Sequence, residues 1–299
     1  MPFINGKDML MHAYKNGYGV GAFSAHNAET IQAIIWAAEE TQSPVMIQVG
    51  QKVIQYMGMR EMKSMIETFG EGTTVPIAIH LDHSRQFEQT AAAIKQGFQS
   101  VMFDGSGLEF EENARITARV VDIARALGIG AEGEIGKIGG TEDGITVEEE
   151  DAAITTVEEA TRFVDSTDVD YLAISIGTAH GIFHNAPTIR MERLQEIVTA
   201  VQRPIVLHGG SSVPDDQVRE AISLGVSKIN IDTELRQAFS LGVQEVFNEN
   251  PEEWHLAVSL DKGRERTKEK VLEKIKVFGS EGKAVDLLGS IAKQEEVGV

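Results

Sequence analysis

The chain has 299 residues, of which 42% are hydrophobic and 24% charged, so it is long enough to bury a large core. Asp and Glu number 46 against 27 Lys and Arg, and the formal charge of −19 argues against binding to nucleic acid or anionic membranes. With no cysteine, disulfides and thiolate ligands are excluded, and any metal must be held by His, Asp or Glu.

Short apolar runs alternate with longer amphipathic stretches along the whole chain. The predicted strands are Tyr18–Phe23, Pro44–Val49, Val75–Leu81, Ser100–Phe103, Gly130–Ile135, Tyr171–Ile176, Ile205–Leu207 and Lys228–Ile231. The predicted helices between them are Asn27–Glu40, Gln86–Gln96, Glu109–Leu127, Val157–Asp165, Met191–Val201, Pro214–Leu224 and Thr233–Asn248. The strands are almost continuously apolar, as in a parallel sheet covered on both faces.

The number of βα units favours a (β/α)8 TIM barrel, since about eight units occupy roughly this length in that fold. A doubly wound open sheet is the alternative, because the same alternation builds it. The first βα turn, Phe23–Asn27, contains none of the glycines of a dinucleotide loop, which argues against the open sheet. We therefore expect one barrel domain over residues 1–299, with an additional C-terminal helix at Gly263–Gly279.

A glycine-rich stretch, Gly136–Gly144, follows the fifth strand and continues into an acidic segment. Long loops in compact domains are usually lids or binding loops, so we expect a mobile functional loop here.

The sequence gives no sign of export or membrane insertion. The N-terminal segment Met1–Gly6 lacks the basic start and apolar run of a signal peptide. Apolar runs such as Pro76–Leu81 are too short to span a bilayer. We expect a soluble cytoplasmic protein.

Three histidines, His83, His180 and His208, fall at the ends of three different predicted strands. The active site of a TIM barrel lies at the carboxyl ends of its strands, so these side chains are expected to converge. Imidazole is a common zinc ligand, and a catalytic site uses three protein ligands with one position open. The alternative for any single histidine is a structural role, which we assign to His80 within strand three. His26, just past strand one, could reach the site.

Carboxylates accompany these histidines at the strand ends. Asp104, Glu132 and Glu134 are candidates for alternate ligands or for hydrogen-bond partners of the ligands. Glu132 and Glu134 share one face of strand five, because side chains alternate along a strand. Asp82 directly precedes His83, so we expect it to point elsewhere around the rim.

Two turns predict a phosphate site. Gly209-Gly210-Ser211-Ser212 lets the backbone approach an anion, and Asn230-Ile231-Asp232-Thr233 opens a helix whose N-terminus favours one. The loops after strands seven and eight are the frequent phosphate site of these barrels.

Several motifs stand at or after the predicted strands: Leu81-Asp82-His83, Phe98–Ser106 followed by Phe110–Asn113, Gly139–Gly144, Ile176–Gly181, His208–Ser211 and Asn230–Glu234. In this strand context they resemble the motifs of class II fructose-bisphosphate and tagatose-bisphosphate aldolases. The resemblance runs from about Gly21 to about Phe239.

The resemblance implies an aldehyde-lyase that cleaves a ketose phosphate to dihydroxyacetone phosphate and an aldehyde, as a homodimer or homotetramer. It implies that His83, His180 and His208 bind Zn²⁺ and that Asp104 and Glu134 line a second or alternate metal position. A monovalent cation could assist. Asp82 would be the acid/base at the C4 hydroxyl, and Glu142 would move the proton at C3. The residues implied to hold the 1-phosphate are Gly181, Gly209, Gly210, Ser211, Asn230, Ile231, Asp232 and Thr233.

The residues themselves also favour metal chemistry over a Schiff base. Retro-aldol cleavage generates an enediolate, which a divalent metal stabilises as a Lewis acid. A Schiff-base aldolase needs a desolvated lysine inside the barrel. The predicted sixth strand contains none, and Lys228 is expected at the amino-terminal start of its strand, the wrong end.

Three departures from the family pattern concern the distal half of the substrate. Ser24 stands where an Asn is usual, Gly50-Gln51 where a Ser often occurs, and Pro251–His255 where a Tyr-Asp-Pro-Arg stretch is usual. Arg is the natural partner of a distal phosphate, so we expect the aldehyde half of the substrate to be altered. The alternative substrates are tagatose 1,6-bisphosphate and a phosphorylated deoxyketogluconate. The alternative function is that of a catalytically silent protein that binds a sugar phosphate.

Overall fold

The computed structural model describes residues 3–137, 139–142, 145–147, 154–180, 188–211 and 213–297. The strands are β1 (Val20–Ser24), β2 (Val45–Val49), β3 (Ile77–Ser84), β4 (Ser100–Phe103), β5 (Gly130–Ile135), β6 (Gly139–Glu142), β7 (Ile145–Val147), β8 (Tyr171–Ile174), β9 (Ala179–His180), β10 (Ile205–Leu207) and β11 (Val226–Ile231). The helices are α1 (Gly6–Asn16), α2 (Ala28–Thr41), α3 (Gln51–Met57), α4 (Met59–Gly70), α5 (Phe87–Gln96), α6 (Phe110–Ala126), α7 (Val157–Thr167), α8 (Met191–Val201), α9 (Asp215–Leu224), α10 (Thr233–Glu249), α11 (Leu256–Phe278) and α12 (Lys283–Val297).

Eight parallel strands close into a barrel in the order β1-β11-β10-β8-β5-β4-β3-β2, which confirms the predicted (β/α)8 fold. Helices return the chain from the end of each of these strands to the start of the next. The carboxyl ends of all eight strands therefore lie at the same rim. The predicted C-terminal helix is also confirmed as α11, and a further helix, α12, follows it.

Strand β3 shows how the alternation of side chains builds the barrel. Ile77, Ile79 and Leu81 pack in the apolar layer between the strands and the outer helices. Ala78 belongs to a different cluster, inside the barrel, and the period of two places His80 and Asp82 on that same inner face.

Helix α1 closes the amino-terminal end of the barrel. Its residues Met9, Leu10 and Ala13 are fully buried in the inner cluster, together with Val20 of β1 and Leu287 of α12. Neither α1 nor α12 is among the predicted helices.

The glycine-rich stretch after β5 contains secondary structure as well as loop. Strands β6 and β7 pair antiparallel, and β6 also pairs with β9. The prediction of a continuous loop was therefore wrong for residues 139–142 and 145–147. Within the described part of the chain, no helix is both long and apolar enough to cross a membrane.

Candidate active site

The carboxyl end of β3 brings two consecutive side chains, Asp82 and His83, to the same place. His83 has a left-handed backbone with φ of 46°, and the register between β3 and β4 shifts between Leu81 and Ser84. A regular strand would direct neighbouring side chains to opposite faces. Here, ligand atoms of Asp82, His83 and His208 all lie within 4.8 Å of one another. The expectation that Asp82 points elsewhere was wrong, because this irregular backbone turns the strand end.

A second group forms on the other side of His83. Its Nδ1 lies 3.3 Å from Asp104 Oδ2 and 4.0 Å from Glu134 Oε2. Asp104 also accepts hydrogen bonds from Arg85 Nε at 2.9 Å and from the Ser106 hydroxyl at 2.6 Å. Burial opposes ionisation of Asp104, but His83, Arg85 and Ser106 together hold its pKa well below the ordinary value. This carboxylate is therefore charged.

His208 follows β10 and lies between two glutamates of β5. Its Nε2 is 2.8 Å from Glu132 Oε1, and its Nδ1 is 3.2 Å from Glu134 Oε2. The ring of His208 meets that of His83 edge to face, with centroids 4.6 Å apart. Burial disfavours the imidazolium, but the hydrogen bonds to both glutamates outweigh it and raise the pKa of His208 to about 9. The predicted shared face of Glu132 and Glu134 is confirmed.

The donor atoms at this rim suit a divalent metal. They are imidazole nitrogens and carboxylate oxygens from buried side chains, and two overlapping groups, Asp82–His83–His208 and His83–Asp104–Glu134, each lie within 4.8 Å. Zn²⁺ binds such nitrogen and oxygen ligands at about 2.0–2.2 Å. The ligand atoms of one ion are therefore separated by less than the 4.8 Å found within each group.

Three predicted residues fall on or beside segments without described side chains. His180 ends β9 and Glu142 ends β6, and these two strands pair through Gly139–Ala179 and Gly140–His180. The side chains of both residues, and all of Gly181, lie outside the described residues.

The predicted phosphate turns lie side by side after β10 and β11. Gly209 has a φ of 61°, a conformation that favours glycine, and a Cβ on Gly210 would lie 2.8 Å from Asn230 O. The Gly210 N–H donates to that same carbonyl at 3.2 Å. Ser211 Oγ accepts from the backbone N–H of Glu234 at 3.4 Å. The two turns therefore form one continuous surface.

Helix α10 begins at Thr233, as predicted, and directs its N-terminus toward this surface. Asp232 precedes it and is 2.8 Å from His26 Nε2. The side chain of Ile231 is buried in the outer apolar layer, so only its backbone can contact a ligand.

Comparison with known proteins decides the family. The family model described as "Fructose-bisphosphate aldolase class-II" matches residues 4–283. The chain belongs to the class II fructose-bisphosphate aldolase family. It is therefore a carbon–carbon lyase.

Three relatives of this class II aldolase bear on its substrate and fold. A protein of Alkalicoccus urumqiensis named sulfofructosephosphate aldolase is 60% identical over 284 residues, which cover 95% of this chain and 99% of the relative. A fructose-bisphosphate aldolase of Thermus caldophilus is 40% identical over 94% of this chain and 99% of its own length. The crystal structure of the YdjI aldolase of Escherichia coli K12 is 35% identical, with a TM-score of 0.83 over 94% of this chain and 99% of that one.

In this class II aldolase, Asn230 connects the predicted phosphate turns to Asp82. Its Nδ2 donates to Asp82 Oδ1 at 3.2 Å. Gln51, at the start of α3, donates from Nε2 to the Asp82 backbone carbonyl at 2.8 Å. Asp82 is thus held from the β11 side and from the β2 side.

Neutral hydrogen-bonding groups lie at the carboxyl ends of β1 and β2. Gln48 is fully buried and donates from Nε2 to Ser24 Oγ at 2.9 Å. Because Ser24 accepts this bond, its own hydroxyl proton can be donated to a ligand. Ser24 and Gln51 are two of the positions at which the sequence departs from the family pattern.

Sequence reasoning missed the role of one residue at this site. Lys228 was expected at the amino-terminal start of its strand, but β11 begins at Val226, which places Lys228 inside the barrel. Its Nζ is 2.9 Å from Glu132 Oε2. The alternation with Asn230 was the signal that could have identified it. His80 is fully buried, as predicted, with Nδ1 2.6 Å from Ser100 Oγ.

Proposed function

We propose that this aldolase cleaves a sulfofructose phosphate reversibly, with the phosphate on the half released as dihydroxyacetone phosphate and the sulfonate on the aldehyde half. The observation that carries this proposal is the likeness, along nearly the whole chain, to the relative named sulfofructosephosphate aldolase. The oligomer that the family resemblance implies, a homodimer or homotetramer, is part of the same proposal.

The metal site uses His83, His180 and His208, with Asp104 and Glu134 at a second or alternate position. The ion is Zn²⁺, because nitrogen-rich ligand sets without thiolates suit it. When bound, it acts as a Lewis acid that stabilises the negative charge developing on the substrate oxygens.

Proton transfer belongs to two carboxylates of the chain. Asp82 accepts the proton of the C4 hydroxyl while the C3–C4 bond breaks and its electron pair passes to C3. The aldehyde leaves, and Glu142 then supplies the proton that C3 requires. Support for the first step comes from the position of Asp82, which is held by Asn230 and Gln51 beside both His83 and His208.

The 1-phosphate lies on the surface formed by the two turns. Its ligands are Gly181, Gly209, Gly210 and Ser211, together with the backbone from Asn230 to Thr233. A chain with a formal charge of −19 needs local positive potential to hold an anion. The partial positive charge at the N-terminus of α10 supplies it.

The distal sulfonate would contact Ser24 and its neighbours. A sulfonate carries a single negative charge, whereas a phosphate monoester carries nearly two, so neutral hydroxyl and amide donors can satisfy it without an arginine. Ser24, oriented by Gln48, and the adjacent Gln51 are such groups. The missing Tyr-Asp-Pro-Arg stretch of the bisphosphate enzymes agrees with this assignment.

The test is a retro-aldol assay of the metal-loaded protein, with detection of released dihydroxyacetone phosphate. We expect kcat/KM for sulfofructose 1-phosphate to exceed that for fructose 1,6-bisphosphate and tagatose 1,6-bisphosphate by at least about 100-fold. A chelator should abolish the activity, added Zn²⁺ should restore it, and borohydride with substrate should leave the protein untrapped. A preference for either bisphosphate would overturn the substrate assignment. Silence on every substrate would favour a binding protein.

A further inference from the structure

Lys228 is a buried cation that the proposed reaction does not use. Its side chain lies inside the barrel without solvent exposure, and its Nζ is 2.9 Å from Oε2 of the equally buried Glu132. Removing a lysine ammonium from water costs several kcal/mol, and a single ion pair returns only part of that cost. Well-packed apolar side chains in place of this ion pair would often stabilise the fold at least as well. Stability alone therefore does not explain why a lysine is buried at this position.

Glu132 connects Lys228 to His208. Its Oε2 faces Lys228, and its other oxygen, Oε1, is 2.8 Å from His208 Nε2. A carboxylate can only accept in this contact, so Nε2 of His208 carries the hydrogen. Lys228 and His208 outweigh the effect of burial and hold the pKa of Glu132 below its ordinary value.

The consequence for His208 is a fixed ring orientation. A metal would take the place of the Nδ1 proton of His208, and the ring that remains, protonated on Nε2, directs its lone pair from Nδ1. That nitrogen lies 3.2 Å from Glu134 Oε2, and His208 belongs to the group formed with Asp82 and His83. Ring orientation and tautomer of a ligating histidine are commonly set by such a carboxylate behind it.

We propose that Lys228 is a positioning residue for the metal site: its ammonium holds Glu132 in place, and Glu132 fixes His208 with Nδ1 directed at the metal. The inference rests on the proposed role of His208 as a metal ligand. It also explains why a lysine inside this barrel does not act as a Schiff-base nucleophile, since its amine is bound to a carboxylate beneath the histidines.

The test compares Lys228→Met with the double variant Lys228→Met/Glu132→Gln. The readouts are the Zn²⁺ dissociation constant from chelator competition, the absorption spectrum of the Co²⁺-loaded protein and the melting temperature without metal. We expect Lys228→Met to weaken Zn²⁺ binding by about 10–100-fold and to alter the Co²⁺ spectrum. The double variant leaves no unpaired charge, so it should regain the melting temperature but not the affinity.

A purely structural ion pair gives a different pattern. Wild-type Zn²⁺ affinity in Lys228→Met, or recovery of affinity together with stability in the double variant, would overturn the proposal. If Lys228→Met does not fold, the double variant decides by itself.

Two controls separate this inference from the proposed function. Lys7→Met removes the cation that lies 2.8 Å from buried Asp170 at the opposite end of the barrel, and it should leave Zn²⁺ affinity unchanged. His208→Gln should lose Zn²⁺ affinity. Wild-type affinity in that variant would remove His208 from the metal site and contradict the proposed function itself.

Discussion

The two ends of the barrel interior are filled in opposite ways. At the amino-terminal end, the side chains are apolar and come from two helices as well as from the strands. That cluster includes Met9, Leu10, Ala13, Val20, Ala22, Met46, Tyr171 and Leu287. At the carboxyl end, buried side chains are ionisable and contact one another, as in Glu132, Glu134, His83 and His208. The same strands thus contribute apolar side chains to the core at one end and ionisable side chains to the candidate active site at the other.

Strand β3 shows that both ends are encoded in one alternating pattern. Its inner face runs from Ala78 through His80 to Asp82, so polarity increases toward the carboxyl end within five residues of chain. Substitutions at the two ends should therefore separate into different phenotypes, with losses of turnover at one end and losses of stability at the other.

Asp82→Asn should cause the largest loss of kcat/KM and should leave the stability of the protein unchanged. Asn keeps the shape of the side chain but cannot act as the base that we propose at the C4 hydroxyl, and general acid–base catalysis contributes about 10²–10⁴-fold. We expect kcat/KM to fall by about that factor, with the metal content and melting temperature retained. Steady-state kinetics and metal analysis of the purified variant measure both quantities.

The matched control is Asp8→Asn on α1, an amide substitution at the opposite end of the barrel, which should leave kcat/KM unchanged. If Asp82→Asn loses its metal together with its activity, Asp82 is a ligand and not the proton acceptor.

Leu10→Ala should produce the converse phenotype. Leu10 is fully buried in the inner cluster at the amino-terminal end. Truncation of a buried leucine leaves a cavity and typically costs about 2–5 kcal/mol. We expect the free energy of unfolding to fall by that amount in denaturant titrations, while kcat/KM at low temperature stays unchanged. A large loss of kcat/KM in a folded variant would show that the two ends are coupled.

The barrel was predictable because each of its eight strands is covered by helices and bounded by polar turns. Each strand therefore forms an apolar run that can be recognised in the sequence. Helix α1 was missed, although Asn5 caps its start and Gly17 its end. Its apolar residues enter the end of the barrel and do not cover a strand, so it does not fit the strand–helix rhythm on which the prediction relied.

The strand-end rule predicted that His83 and His208 lie together, since parallel strands end at one rim, and the structure brings them into one group. It did not place Asp82, because the left-handed backbone at His83 depends on tertiary contacts that no local pattern reveals. Nor did it place Lys228: β11 begins two residues earlier than the apolar run suggested, and that shift changes a strand-start lysine into an interior one.

The smallest expected effect is a pH dependence of stability at the amino-terminal end. His12 Nδ1 lies 2.9 Å from the Tyr18 hydroxyl. Burial lowers the pKa of His12 below its ordinary 6.5, while Asp286 opposes this shift and Lys283 adds to it. The folded state therefore keeps His12 neutral at pH values at which the unfolded chain already binds a proton. The free energy of unfolding should accordingly decrease as the pH falls below about 6.5.

His12→Gln removes this titration but leaves a polar side chain near Tyr18. The decrease in unfolding free energy between about pH 7 and about pH 5 should be shallower in the variant than in the wild type. Denaturant titrations at several pH values measure the slope, and the ratio of kcat/KM between the two proteins should stay constant over the same range. Equal slopes would mean that His12 is as readily protonated in the folded chain as in the unfolded one. A changing kcat/KM ratio would mean that protonation at the amino-terminal end of the barrel affects the proposed metal site at the carboxyl end. The two ends would then not be independent.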